Sequence, residues 1–190
     1  GLRPHNLLGS APNSMGLTRY KVQTAATAGS SSSIFQGDMV IPLTNGLVDV
    51  SAADGGSVAI LGVMNGCEYI DLNGKPRFDN HYPGTSSIKS GTEASIFVYD
   101  NPHQIFEVQG DASLTNAATA QALVHSNAEG AGFGSENGAT GKSIGELAVS
   151  TAGATTAGDN FRIIGIKDDF NDIDVTSAGV IFLVKLNVHF

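Results

Sequence analysis

Three Asn-Gly pairs close together, Asn45-Gly46, Asn65-Gly66 and Asn73-Gly74, each follow a short apolar run. Asn-Gly between two such runs is the strongest short-range hairpin signal, because a two-residue hairpin turn wants positive φ at both positions. The spacing predicts a hairpin of Asp38–Leu43 with Leu47–Val50 and a second of Val58–Met64 with Cys67–Leu72. The third pair is expected to open a loop running to about Thr92. Pro42 cannot donate a ladder hydrogen bond, so its strand lies at an edge or carries a bulge.

The same alternation continues along the chain. Leu17–Gln23 reads as a strand, and Ser95–Tyr99 and Gln104–Val108 read as a hairpin joined at Asn101-Pro102. Leu114–His125 is the one helical segment, rich in Ala, with Thr115 placed to cap it. Residues 127–160 are dominated by Gly, Ala, Ser and Thr and read as surface loops around a short apolar run at Leu147–Val149. Phe161–Ile166 is a strand. Val180–Val188 is another, with Val180, Phe182, Val184, Leu186 and Val188 on one face. The expected fold is all-β, a barrel or sandwich of about nine strands with one short helix and long Gly-rich loops. At 190 residues it forms one domain.

Charge separates the chain into two parts. Residues 1–37 hold Arg3, Arg19 and Lys21 and no acid, while the whole chain carries a net charge of −8. An acidic chain is a poor nucleic-acid binder, since phosphate neutralisation drives that binding. Residues 1–16 show neither helical nor strand period and read as an extended N-terminal arm, apart from a β-rich domain over 17–190. Leucines on an arm pack against something, either their own domain or a partner. The candidate partner-binding residues are therefore Leu2, Arg3, Pro4, Leu7 and Leu8, with Arg19. Deleting residues 1–16 is expected to leave the β-domain folded. One cysteine, Cys67, permits no internal disulfide, and no apolar run is long enough to span a membrane. The expected compartment of folding is a cytoplasm.

Several motifs mimic chemistry without its context. Gly138-Ala139-Thr140-Gly141-Lys142-Ser143 resembles the end of a phosphate-binding loop, but Glu136 stands where its first glycine is needed. Gly141-Lys142-Ser143-Ile144-Gly145 fits a hydrolase elbow, which requires a strand-to-helix corner in a parallel sheet. The acidic stretch Asp168–Asp174 fails the spacing of a calcium loop and reads as a solvated turn, with a structural cation as the alternative. His5, His81, His103, His125 and His189 show no metal-ligand spacing. Cys67 reads as a small buried hydrophobe. No catalytic residue, metal or cofactor is expected.

A series of segments resembles one family along nearly the whole chain. They are Gly1-Leu2-Arg3-Pro4, Ile34-Phe35-Gln36-Gly37-Asp38-Met39-Val40, Ile60-Leu61-Gly62-Val63 and Val98-Tyr99-Asp100-Asn101-Pro102 with Phe106-Glu107-Val108-Gln109. Phe161–Ile166 and Leu183–His189 complete the series. The chain is similar in these to the capsid decoration, or cement, proteins of tailed marine bacteriophages. Ile181-Phe182 stands where a Trp is common near the last strand. The resemblance implies a non-enzymatic virion protein on the capsid exterior, assembled in the host cytoplasm. Its implied partner is the major capsid protein, bridged and stabilised by a homotrimer. The alternatives are another virion part (a head fibre, tail or adhesion module) or a ligand-binding or hydrolytic β-domain with Ser143 as nucleophile.

Overall fold

A computed structural model describes residues 1–9, 16–22, 33–51, 58–137, 139–150, 157–167, 176 and 179–190. The acidic stretch Asp168–Asp174 lies outside the described residues. Two antiparallel sheets make a sandwich-like all-β fold. The first sheet has five strands, in the order β1 (Arg3–Leu7), β10 (Gln104–Gln109), β17 (Ile181–Leu186), β16 (Phe161–Ile166) and β11 (Asn127–Ala128). The second runs β2 (Thr18–Lys21), β9 (Ser95–Tyr99), β6 (Gly62–Ile70), β4 (Met39–Pro42) and β5 (Val48–Val50), with β7 (Pro76–Asp79) also on β6. Three short pairs flank them: β3 (Ile34–Phe35) with β8 (His81–Tyr82), β12 (Gly130–Ala131) with β15 (Glu146–Leu147), and β13 (Glu136–Asn137) with β14 (Lys142–Ser143).

Alternation decides which core each side chain enters. In β4, Met39 points to the first sheet and Val40 away from it; in β6, Val63 and Met64 divide the same way. The first core lies between the sheets and contains Phe106, Phe161, Phe182 and Val184, all fully buried. The second, around Val40, Met64, Ile96 and Val98, is covered by Ile34, Tyr82 and Ile88. A single bridge between Val22 and Val48 brings the outer strands of the second sheet together around this core, short of a closed barrel.

Only two of these three Asn-Gly pairs make turns. Gly46 and Gly74 both take φ of 79°, while neither Asn before them has positive φ. In each hairpin the glycine N–H returns to a carbonyl three residues back, Gly46 to Leu43 and Gly74 to Asp71. This is a turn followed by a left-handed glycine, a longer hairpin connection than the two-residue turn expected. Asn73-Gly74 thus closes the β6–β7 hairpin instead of opening a loop. Asn65-Gly66 makes no turn: β6 runs straight through it, and the extra residue is absorbed as a bulge against β9. Gly66 lacks the positive φ that a turn there would need.

Other expectations also change. The Ser95–Tyr99 and Gln104–Val108 strands do not pair with each other. β9 is flanked by β2 and β6, and β10 by β1 and β17, so Asn101–His103 crosses between sheets. The helix α1 is shorter, Ala117–Ala122, and its cap is Asn116, whose Oδ1 accepts the Thr119 N–H at 2.9 Å. His125 at φ 75° stops it from running on. Of the expected arm, residues 1–9 pack on their own domain, one of the two alternatives. β1 pairs with β10, and Leu2, 3% exposed, belongs to the first core, its N–H donating to the Gly37 carbonyl at 3.0 Å. Pro4 disguised this strand as a breaker, yet an edge strand does not need its N–H. Leu2 is therefore part of this chain's own core, and deletion of residues 1–16 removes a strand of the first sheet.

The described part of the Gly-rich stretch is more than surface loop around Leu147–Val149. It places Phe133, Leu147, Ala148 and Val149 in buried positions. Phe133 fits because two glycines yield space to its ring: a Cβ on Gly145 would lie 2.3 Å from it and one on Gly130 2.7 Å. Gly145→Ala should therefore destabilise the protein by about 1–3 kcal/mol, as overpacked cores do. Urea denaturation checks this, and the cost should shrink in a Phe133→Leu background, where the ring is gone.

Candidate binding surface on the five-stranded sheet

The first sheet buries one face and exposes the other. Within β10, Phe106 and Val108 point to the core, so Glu107 between them points out. Lys185 stands outward between Val184 and Leu186, and Arg162 between Phe161 and Ile163. The register aligns Arg3 with Glu107 and Leu183, and Ile105 with Lys185 and Arg162. Residues paired across antiparallel strands share a face. Arg3, Arg162 and Lys185 therefore gather on one face, with half-buried Leu183 and buried Ile105 between them and half-buried Ile181 one row beyond. Lys167 joins them from the end of β16.

Glu107 is the only carboxylate in these five strands. Its two oxygens are taken: His5 Nδ1 lies 2.8 Å from Oε1, and Lys167 Nζ donates to Oε2 at 2.8 Å. Burial pulls its pKa up, but the bonds from Lys167 and His5 outweigh this and hold it below the ordinary value. Among the described residues, the side chains of Arg3, Arg162 and Lys185 make no hydrogen bond or ion pair. A chain of net charge −8 thus concentrates four of its ten Lys and Arg residues, three of them unpaired, around one sheet face. Such a face complements an acidic protein surface.

The sequence-derived candidates are divided by the fold. Arg3 and Pro4 are exposed on β1, Leu7 is half-buried, and Leu8 is 36% exposed, its N–H donating to the His103 carbonyl. Arg19 lies on the other sheet, in β2, and is ion-paired with Glu68. His5, Glu107, Arg162, Lys167 and Lys185 were not singled out from the sequence. Alternation in the last strand points Lys185 outward, but only the register places it beside Arg162.

The hydrolase-like motif is used otherwise. Ser143 is buried in two-residue strand β14, not at a strand-to-helix corner. Its hydroxyl donates to Asp38 and accepts the Gly145 N–H at 3.1 Å. Asp38, fully buried, also accepts the N–H groups of Phe35 at 2.9 Å and Gly134 at 3.1 Å. Burial raises the Asp38 pKa, and those hydrogen bonds oppose the rise. Among the described residues no imidazole bonds to Ser143, as a Ser-His pair requires. Cys67 donates to the His81 carbonyl at 3.0 Å, and burial pushes its thiol up to about 12, far from a reactive thiolate. Among the described residues, no three His, Cys, Asp or Glu side chains gather as metal ligands.

Comparison with protein-family models, curated proteins and solved structures found no significant match.

Because the Glu107 pKa is lowered, its contribution to stability is present above the ordinary carboxylate range and lost as pH falls through the folded value. Glu107→Gln should reduce stability at neutral pH by less than about 1 kcal/mol, the scale of an exposed ion pair. Urea denaturation at neutral and acid pH should show the difference between parent and variant vanish at low pH. Hydrogen exchange should be faster across β1 in the variant, since His5 then loses its tie.

Proposed function

We propose that this chain is a capsid decoration protein, binding the exterior of a mature phage head and bridging shell subunits. The observation that supports it best is the basic, partly apolar face of the five-stranded sheet on an otherwise acidic body. That contrast orients the molecule: the cationic face turns towards an acidic shell, and the acidic remainder faces solvent. The family resemblance along the sequence supplies the identity of the lattice. The bridging action needs no chemistry. A ligand that binds only the expanded lattice stabilises it by mass action, and many weak copies add through symmetry. On this reading the partner is the major capsid protein, and the decorating unit is a homotrimer.

Edge strand β1 extends the face, since its outer side pairs with no other strand among the described residues. An exposed edge of this kind accepts a strand from a neighbour. Arg3 and Pro4 keep their place in the surface, while Leu2 anchors the strand from within.

Two measurements test the proposal. Purified particles should contain this chain in a fixed, high ratio to the major shell protein, read from gel band intensities. A dozen copies or fewer would point to a head fibre, tail or adhesion part and would defeat the proposal. Arg162→Glu with Lys185→Glu should weaken binding to shells stripped of the protein by about tenfold or more at low salt, less at high salt, because exposed charges are screened. Equal binding by parent and variant would remove the basic face from the interface.

A further inference from the structure

The β6–β7 hairpin ends in a strand that no described strand covers on its outer edge. All four residues of β7, Pro76-Arg77-Phe78-Asp79, are exposed. One edge of β7 pairs with β6; among the described residues, no strand pairs with the other. Phe78 is 76% exposed, the most exposed large hydrophobic side chain among the described residues, and Leu72 in the adjoining turn is 65% exposed. A bare edge strand carrying an exposed aromatic is a template for strand addition.

The strand is self-complementary. Antiparallel pairing about a two-fold axis at Phe78 sets Phe78 opposite its counterpart, Arg77 opposite Asp79 of the second copy, and Asp79 opposite Arg77. Centring the pair on Arg77 or on Asp79 would instead oppose like charges, which is unfavourable directly across a ladder. Charge therefore selects one register, as register must be selected on an otherwise slippery edge. The Arg77 and Asp79 side chains both stay partly exposed although each has a local partner, Asp79 Oδ1 accepting the Asn80 N–H at 3.0 Å. Arg77 spends its Nε on Asp71 at 2.9 Å and is still 55% exposed, and the Asp79 side chain is 41% exposed.

We propose that β7 is an interface with a second copy of this chain, pairing antiparallel about a two-fold axis through Phe78 and joining two second sheets edge to edge. Such a contact is isologous, with one patch meeting itself. A four-residue strand buries less than a standard interface, so association is weak and depends on concentration. The inference is independent of the capsid reading and of any three-fold assembly, which would use other surfaces.

Sedimentation equilibrium of the full chain over a wide concentration range tests it. The parent should associate. Phe78→Ser should abolish the association. Arg77→Asp and Asp79→Arg singly should each weaken it by about tenfold, since two like-charge oppositions replace two attractions. The double variant R77D/D79R restores both attractions and should return to within about threefold of the parent. Circular dichroism should show all four variants folded, because these side chains are on the surface. A parent that stays monomeric, an association indifferent to Phe78→Ser, or a double variant as weak as its singles would overturn the proposal.

Discussion

The architecture depends on a shared wall. Met39 and Val63 face one core, Val40 and Met64 face the other, and each of the four is at most 1% exposed. Strands buried on both faces lose the apolar–polar alternation that marks a half-exposed strand. Once this wall is fixed, the first sheet must cover Met39 and Val63, and the β3–β8 pair must cover Val40 and Met64. Only one face of the first sheet then remains for solvent or a partner. Asp38, next to the wall, secures its flank by holding Phe35, Gly134 and Ser143 on a single buried carboxylate.

That wall also explains which features were legible in the sequence. The final strand was readable because every second residue is apolar: Val180, Phe182, Val184 and Leu186 are all buried, though Ile181 and Leu183 are apolar on the other face and Val188 is only half-buried. β6 was misread because both of its faces are apolar and Asn65-Gly66 interrupts it in the form of a turn. A bulge and a turn use the same residues; the difference lies in φ and in whether a neighbouring strand continues past. The β9–β10 connection was misread for a related reason. Asn101 does form a local turn, accepting the Gln104 N–H at 3.0 Å, but the edges of β9 were already occupied by β2 and β6. Local turn chemistry carries no information about which sheet a strand joins.

The candidate binding surface was half legible for the same physical reason. The early residues stood out by charge and by their leucines, and Arg3 and Pro4 are on the surface as that suggested. Leu2 went to the core instead, because the strand that carries it pairs with β10, a partner about a hundred residues away. The cations that join Arg3 come from two further strands, and no spacing along the chain relates Arg162 to Lys185. Their adjacency exists only in the β16–β17 register. The Gly-rich stretch was opaque for another reason: two of its glycines, Gly130 and Gly145, mark close packing about Phe133, and composition alone reads them as flexibility.

The proposed function implies an orientation: the protein would sit on a protein lattice with its basic sheet face inward. A cryo-electron microscopy reconstruction of purified particles measures this directly. The account predicts regularly repeated density for the chain outside the shell, with Arg3, Arg162 and Lys185 facing it and the β7 hairpin projecting elsewhere. A lattice without that density, or one in which the same sheet face points to solvent, would contradict it.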